Sequence, residues 1–476
     1  MSHTPSKIQS DRRDFVKSTA ALGMGCWLAG GLQPKKKYDS KLDKVRFACI
    51  GVQGKGSSDM ADAQRTGEVV GICDIDEERL NKASASAPGA KKYFDFRKML
   101  EEMEGSIDAV TVSTPDHTHA VAGLMAMYMG KHCFCQKPLT HSIEEARAMS
   151  EVAREKELQT QMGNQGTALS TLRQSATAIR NGCIGDVKEV HVWTNRPVWP
   201  QGDEKLRAEE IPAAVKWDLW LGPRPERDFS SAIHPFKWRG LWDFGTGALG
   251  DMACHTLNMS YMALDIRNPT SVKAETAGHN GEFFPKWSVI EFEFPELNGR
   301  PAFKMFWYDG TKKPMDLMGD LPRQPQQDQD PEDWPHYESA ALLVGEKGKF
   351  YSPGDYGGEQ RTSGTVIDGE FTPLRRIDWV DTEFERSPGH FDELTMAIKG
   401  DRATAPTSNF PDYAGPLTET ILLGNLAVWA AGSKVGWDAD KMEFDADVPD
   451  DVRMQLEKIV RHDYLNGYSI KELAAH

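Results

Sequence analysis

Apolar residues arrive in short runs through the first part of the chain, each closed by glycine, proline or an acid. Residues 45–50 form one run, followed by glycines and a polar, helix-like stretch from about Ser57. "EVVGICDID" (68–76), "DAVTVST" (108–114), "KHCFC" (131–135) and "QTQMG" (159–163) repeat the theme. Such runs are read as strands buried on both faces. Between the last two pairs lie helical patterns, one from about His117 to Met129 and one in "SIEEARAMSEVAREKE" (142–157). The second opens with Ser142 and has Glu145 three residues on, the pattern of a capping box. Strands alternating with helices predict a doubly wound parallel sheet, an α/β fold.

The pattern then changes. "ALLVGEKGKFYSPG" (341–354) reads as a hairpin, and "GPLTETILLGNLAVWAAGSK" (415–434) as a helix passing from amphipathic to buried. Residues 309–338 are rich in Pro, Asp and Gln and predict a long loop inserted between strands, over the site or at an interface. No repeats are evident.

In a doubly wound sheet ligands sit beyond the carboxyl ends of the strands. That rule collects Gly51–Gly56, Asp74, Ser113–His119, Gln136–Pro138 and Asn164–Gln165 on one rim. The first strand runs into Gly51, Gly54 and Gly56, and glycines there let backbone N–H groups approach a pyrophosphate at a helix N-terminus. Asp74 follows about twenty residues on, where a carboxylate accepts from a ribose 2′-hydroxyl and repels a 2′-phosphate. The expected cofactor is therefore NAD rather than NADP. The fingerprint departs from G-x-G-x-x-G at Gln53, a position tolerable to glutamine if its backbone is not left-handed. Ser113, Thr114, Pro115, His119, Gln136, Asn164 and Gln165 complete the expected cofactor rim.

Farther on, Gly245, Gly247 and Gly250 precede Asp251 and His255, four residues apart and so on one helix face. Such a pair can steer a proton or bind metal, and no third ligand at recognisable spacing supports metal. The plain alternative is a capping aspartate beside a hydrogen-bonded histidine. Trp193, Asn195, Arg196 and Trp199 offer aromatic faces with amide and guanidinium donors, suited to a sugar or equally to a core or subunit interface. Lys237, Trp238, Arg239 and Trp242 form a second aromatic and basic group.

The glycine cluster at 51–56, "STPDHTHA" (113–120), "CQKPL" (135–139) and "GALGDMACH" (247–255) resemble the Gfo/Idh/MocA oxidoreductases, named for glucose-fructose oxidoreductase and inositol dehydrogenase. The resemblance implies a Rossmann domain followed by an α/β domain with a large open, mostly antiparallel sheet. It implies a homo-oligomer, and redox chemistry on a sugar or cyclitol carbon. It makes Lys137 a substrate-contacting, proton-managing amine and His255 an acid/base, with Asp251 orienting the histidine. The family's usual Glu-Lys-Pro is Gln-Lys-Pro here, so the carboxylate beside the lysine is missing, which predicts a lowered lysine pKa. Three functions are compatible with these residues: a sugar oxidoreductase, a redox-neutral enzyme that cleaves a glycoside by transient oxidation and elimination, or a non-catalytic nucleotide-bearing sugar-binding protein. The sequence contains no Thr-His-Gly signature of the family's glycosidase branch.

Composition narrows the partners. The chain has 476 residues with a net charge of −15, and its one dense basic run is Lys35–Lys37. Nucleic acid needs clustered cations on one face, so it is not an expected partner. The seven cysteines show no zinc spacing, and Cys49, Cys73, Cys133 and Cys135 read as buried thiols. Near the N-terminus, Arg12-Arg13 with Phe15 and Lys17 precedes a short, glycine-rich apolar stretch. That resembles a twin-arginine signal rather than a membrane span, and the export machinery becomes an expected partner. Export of a folded protein allows a tightly bound cofactor to be loaded first. Cys26 is a candidate lipid-attachment site, but "GMGC" matches the usual lipobox poorly. The expected organisation is a signal and linker (1–40), a NAD-binding domain (41–166) and a substrate and oligomerisation domain (167–476), in a periplasmic or otherwise exported protein.

Overall fold

The computed structural model describes residues 43–327, 329–377 and 384–470, so Arg12, Arg13 and Cys26 lie outside the described residues. The first sheet contains β1 (Arg46–Ile50), β2 (Glu68–Cys73), β3 (Lys91–Tyr93), β4 (Ala109–Val112), β5 (His132–Cys135) and β6 (Thr160–Met162). All neighbours are parallel, in the order β3-β2-β1-β4-β5-β6. Parallel pairing forces a crossover after each strand, and the helices so placed cover both faces. That is why β4 is buried at every residue, with only alanine, valine and threonine in it. The helix Ile143–Glu155 begins at the expected capping box: the Glu145 amide donates to Ser142 Oγ, and the Glu145 carboxylate accepts from the Ser142 amide. The first helix starts at Lys55, two residues before its expected start.

The second sheet has ten strands: β7 (Val187–Trp193), β8 (Ser271–Thr276), β9 (Ser288–Phe294), β10 (Phe303–Tyr308), β11 (Ala340–Gly345), β12 (Gly348–Pro353), β13 (Gly364–Ile367), β14 (Glu370–Pro373), β15 (Lys434–Asp438) and β16 (Glu443–Ala446). Their order is β14-β13-β12-β11-β7-β10-β9-β8-β15-β16, and only β7 and β10 run parallel. The β11–β12 hairpin is the one expected from the sequence. Here the strands alternate, as β9 shows with buried residues at every second position. One face therefore meets the core.

A single layer joins the sheets. The helix Gly415–Trp429 packs on Ile143–Glu155 from the first sheet and on β8 and β9 of the second. It is buried on nearly all sides, and its Gly424 lets Leu249 and Phe292 approach: a Cβ there would sit 2.5 Å from Leu249 Cδ2. The helix His390–Lys399 returns to the first sheet, where Phe391, Leu394 and Ile398 pack with Phe47 and Phe134. An ion-pair knot holds that return. Glu393 accepts from Arg173 Nη2 at 2.7 Å and lies 3.4 Å from Arg402 Nη1, with all three side chains nearly buried. Removing the anion leaves Arg173 without its carboxylate and Arg402 with only the exposed Glu385, 3.2 Å away. Glu393→Leu is expected to lower unfolding free energy by about 3–5 kcal/mol, measured by urea denaturation; a loss under about 1 kcal/mol would show the knot to be dispensable.

Candidate active site

The glycine loop is built as the dinucleotide reading requires. Gly51 and Gly54 have φ of 77° and 60°, while Gln53 is absent from the positive-φ residues. A side chain at Gly51 would meet the Ser113 carbonyl oxygen at 2.5 Å, and one at Gly56 would meet the Gly51 oxygen at 2.0 Å. Gly54 has open space where its Cβ would be. The departure at Gln53 thus falls where the chain needs no left-handed backbone. The helix Lys55–Thr66 starts directly from the loop, its Gly56 and Ser57 amides turned back onto the Gln53 and Gly54 oxygens at 3.2 and 3.3 Å.

Asp74 closes β2 on the same rim. Its Oδ2 accepts from the Val52 amide and its Oδ1 from the Asp76 amide, both at 3.1 Å. Burial raises its pKa, opposed by those two hydrogen bonds. Arg79 also faces this end of the cleft but is paired to Asp76 at 3.2 Å.

Loop, Asp74, Ser113–Asp116, Gln136 and Lys137 line one cleft of about 420 Å³. Its far wall comes from residues 219–239, including Trp220, His234, Phe236, Trp238 and Arg239. The chain leading into that segment is tied to the turn after β2: the Glu77 amide donates to the Ala214 oxygen and the Lys216 amide to the Ile75 oxygen, each at 2.9 Å. Tyr468 adds a wall from the C-terminal segment, with the Arg97 guanidinium 4.7 Å from its ring centre.

At the inner end Lys137 Nζ donates to Asp251 Oδ1 at 2.8 Å and to the Asp251 backbone oxygen at 2.6 Å. Arg239 Nε donates to the same Oδ1 at 3.1 Å, and its guanidinium lies over the Trp238 and Phe236 rings. Burial alone would raise the Asp251 carboxyl, but Lys137 and Arg239 hold it down at about 2. This corrects the expectation for Lys137. The amine does not lack a carboxylate; Asp251 supplies it from the second half of the chain. The Gln136 amide points elsewhere, to Asp59.

Asp251 therefore does not orient His255 by hydrogen bonding. His255 is buried, its Nδ1 has no partner among the described residues, and Tyr356 stands edge-on at 4.8 Å. Burial, reinforced by the Lys137 charge, pushes its pKa well below the ordinary histidine value, so the ring is neutral. It does not line the cleft described above. His119 is also off the cleft: its ring nitrogens lie 2.9 Å from the Pro138 oxygen and 2.8 Å from the Thr114 oxygen, which joins two rim turns. Asn164 is buried behind the rim with Oδ1 bonded to Ser408, and Gln165 is exposed away from it.

The expected sugar-facing group is not together. Trp193 is fully buried, stacked 6.1 Å from Tyr351, with Nε1 donating to the Tyr337 oxygen at 3.0 Å. The 309–338 loop covers it, since Met318 and Leu321 pack into the same cluster. The loop lies on β7, β11 and β12, not over the cleft. Arg196 pairs with Asp355 at 3.7 Å and also contacts Asn195, outside the cleft lining. Trp199 is buried beside Phe236 and backs Arg239.

Sequence reasoning missed Asp116 as a titrating group. It lines the cleft and accepts from Thr246 Oγ1 at 2.7 Å. Burial pushes its pKa up to about 7 against the opposing effects of Thr246, Arg239 and Lys137. Its neighbours in "TPDHTH" are recognisable, but nothing local says that Thr246 and Arg239 will face it.

The fold and rim define a two-domain dinucleotide-binding protein with a cationic inner wall. Residues 45–164 match the model of an oxidoreductase family with an NAD-binding Rossmann fold, and residues 181–298 match the model of that family's C-terminal alpha/beta domain. The chain belongs to the Gfo/Idh/MocA oxidoreductase family. It is 32% identical over 226 residues to glycosyl hydrolase family 109 protein 2 of Akkermansia muciniphila, spanning 38% of this chain and 46% of that one. It is 27% identical over 262 residues to glucose-6-phosphate 3-dehydrogenase of Bacillus subtilis, spanning 54% and 65%. Both matches thus leave a third or more of the relative uncovered. Among solved structures, the WlbA dehydrogenase of Chromobacterium violaceum, in complex with NADH and UDP-GlcNAcA, superposes with TM-score 0.57 at 17% identity, covering 86% of this chain and 99% of that one. An inositol dehydrogenase homolog from Azotobacter vinelandii, complexed with NADH and myo-inositol, gives 0.53 at 16%, covering 83% and 98%. These two show the shared fold.

Asp116 gives the site a pH signature. Its raised folded pKa means the folded protein holds a proton that the unfolded chain loses near pH ~4, so stability falls as pH rises from about 4 to about 7. Asp116→Asn keeps a side-chain oxygen for Thr246 and removes the ionisation. Its melting temperature is expected to exceed wild type at about pH 8, the gap narrowing toward about pH 5. A variant that melts below wild type by the same margin at every pH would place the proton elsewhere.

Proposed function

We propose that the protein is an exported NAD-dependent oxidoreductase acting at a ring carbinol of a sugar or sugar derivative. One observation carries the reading: an amine held by a carboxylate from the other half of the chain stands at the inner end of a nucleotide-type cleft. The site residues fit the cofactor, because Gly51, Gly54 and Gly56 shape the loop and Asp74 ends β2 beside it. When bound, the nicotinamide would accept hydride from the carbinol carbon or return it to the corresponding carbonyl, the hydroxyl proton moving separately.

The chain's own groups handle the proton and the orientation. An ammonium has three donors, and Lys137 spends two on Asp251, leaving one for a substrate hydroxyl. Arg239 and Asp251 fix the amine so that it cannot swing away. On this reading the hydroxyl proton is taken by Lys137, which lines the cleft, or by His255, which is neutral through burial but off the cleft lining. The His255 route requires the sugar to reach from the cleft toward the exposed Tyr356 ring, 4.8 Å from the imidazole. Asp74 favours NAD over NADP, and the pairing of Arg79 with Asp76 supports this by occupying the nearby guanidinium. The Arg12-Arg13 signal supports export by the twin-arginine route.

A second, redox-neutral reading, in which the nucleotide stays bound through turnover, is supported by the walls that residues 219–239 and Tyr468 add to the cleft. Transient oxidation of a glycoside would acidify the adjacent C–H and let the leaving group depart, with the cofactor returned to its starting state. A relative named as a family 109 glycosyl hydrolase agrees with that chemistry class.

The test is to mix the purified protein and NAD with free sugars and glycosides, following reduced-nicotinamide absorbance and released aglycone. Net reduction with a free sugar supports the first reading, and release without net reduction the second. No bound NAD and no response to added NAD would overturn both. Lys137→Ala is expected to keep NAD and lose about 100-fold or more in turnover, whereas Asp74→Ala should weaken NAD binding without altering the sugar profile; near-wild-type rates in Lys137→Ala would remove the amine from the mechanism.

A further inference from the structure

Behind the rim lies a buried carboxylate to which the proposed chemistry assigns no task. Asp59 sits one turn into the helix Lys55–Thr66 and is 1% exposed. Its Oδ2 accepts from Gln136 Nε2 at 2.8 Å and from Ser113 Oγ at 2.8 Å, and its Oδ1 accepts from Lys55 Nζ. Three segments of the cleft thus converge on one side chain: the glycine-loop helix, the end of β4 and the end of β5. Gly163 completes the arrangement from below. A Cβ at that position would fall 2.5–2.6 Å from the Gln136 amide atoms, so the glutamine has room only because residue 163 is glycine.

We infer that Asp59 is a positioning residue that fixes the Gln136 amide as a hydrogen-bond acceptor toward the nicotinamide half of the cleft, and that it excludes a second carboxylate at position 136. This rests on the nucleotide-binding part of the function proposed above. An ionised carboxylate only accepts, so the Gln136 NH₂ must be the group turned to Asp59. Oε1 is then the free end of the amide, has no partner among the described residues, and belongs to a side chain that lines the cleft. Asp74 and the glycine loop mark the adenosine and pyrophosphate portions of the cleft. Gln136, next to Lys137, is at the opposite end. The ligand group it accepts from is a ribose hydroxyl or the carboxamide N–H of the nicotinamide nucleoside.

The departure from Glu-Lys-Pro then has a physical reason. Glutamate at 136 would set two buried carboxylates at hydrogen-bonding distance, and such a pair cannot both ionise without a large cost. They would share a proton, and the pair rather than either residue would titrate. Glutamine makes the same contact with no proton of its own to lose. In effect the carboxylate of this corner resides on the helix and the amide on the strand.

The exchange can be run backwards. NAD affinity is measured by calorimetric titration of the nucleotide-stripped full chain at about pH 8 and about pH 5.5, with melting curves to confirm folding. Gln136→Glu is expected to weaken NAD by roughly tenfold or more at the higher pH and to regain most of that loss at the lower, where the pair can hold its proton. Asp59→Asn with Gln136→Glu restores one carboxylate and one amide, and is expected to bind within roughly threefold of wild type at both pH values. Asp59→Asn alone, which keeps the shape, should weaken NAD at both pH values by a similar factor because the amide loses its fixed orientation. The inference is overturned if Gln136→Glu binds like wild type at both pH values, or if at the higher pH the double variant binds no better than Gln136→Glu. No sugar enters the measurement, so a failed sugar assay leaves this result standing, and a wild-type-like Gln136→Glu leaves the sugar reading standing.

Discussion

The ion pair between Lys137 and Asp251 is the contact on which the site depends. It joins the end of β5 in the parallel sheet to the helix Gly247–Thr256 of the other half of the chain. The two residues are 114 positions apart, and each is mostly buried, at 16% and 14% side-chain exposure. Burying one charge without the other is costly, so the pair fixes the relative position of two layers as well as an amine. Arg239 adds a second cation on the same oxygen. While Asp116 holds its proton, the inner end of the cleft therefore carries more positive than negative charge, with the Asp251 carboxyl held at about 2. A hydroxyl oxygen gaining negative character is stabilised there.

Much of the first sheet was legible because a parallel strand must be buried on both faces and a crossover must follow it. Those constraints are local in sequence: an apolar run, a breaker, a capped helix. The Ser142 box, the glycine loop and Asp74 fall where the pattern predicts them. Gln53 is instructive, since the left-handed turns are at Gly51 and Gly54 and the fingerprint's missing glycine is not needed for backbone conformation.

The site's partners were not legible, because they are set by tertiary contact. Nothing near Gln136 announces Asp59, and nothing near Lys137 announces Asp251 as its carboxylate. Asp116 shares the point: burial against Thr246, a residue 130 positions away, moves its pKa to about 7. Trp193 failed as a sugar platform for a reason of sheet geometry. The 309–338 loop packs on the face of β7 that carries it, and turns an aromatic with a polar handle into core. Arg239, by contrast, was visible among the tryptophans around it, but its task required Asp251 to be seen next to it.

The central claim is that Lys137 and Asp251 act as one unit across the two halves of the chain. A double-variant cycle on turnover, using Lys137→Met, Asp251→Asn and their combination, reads this coupling directly. The account predicts that the combined variant loses scarcely more activity than Lys137→Met alone, a coupling of at least about 1 kcal/mol in transition-state stabilisation. Losses that simply add would mean that the two residues work independently, and would contradict it.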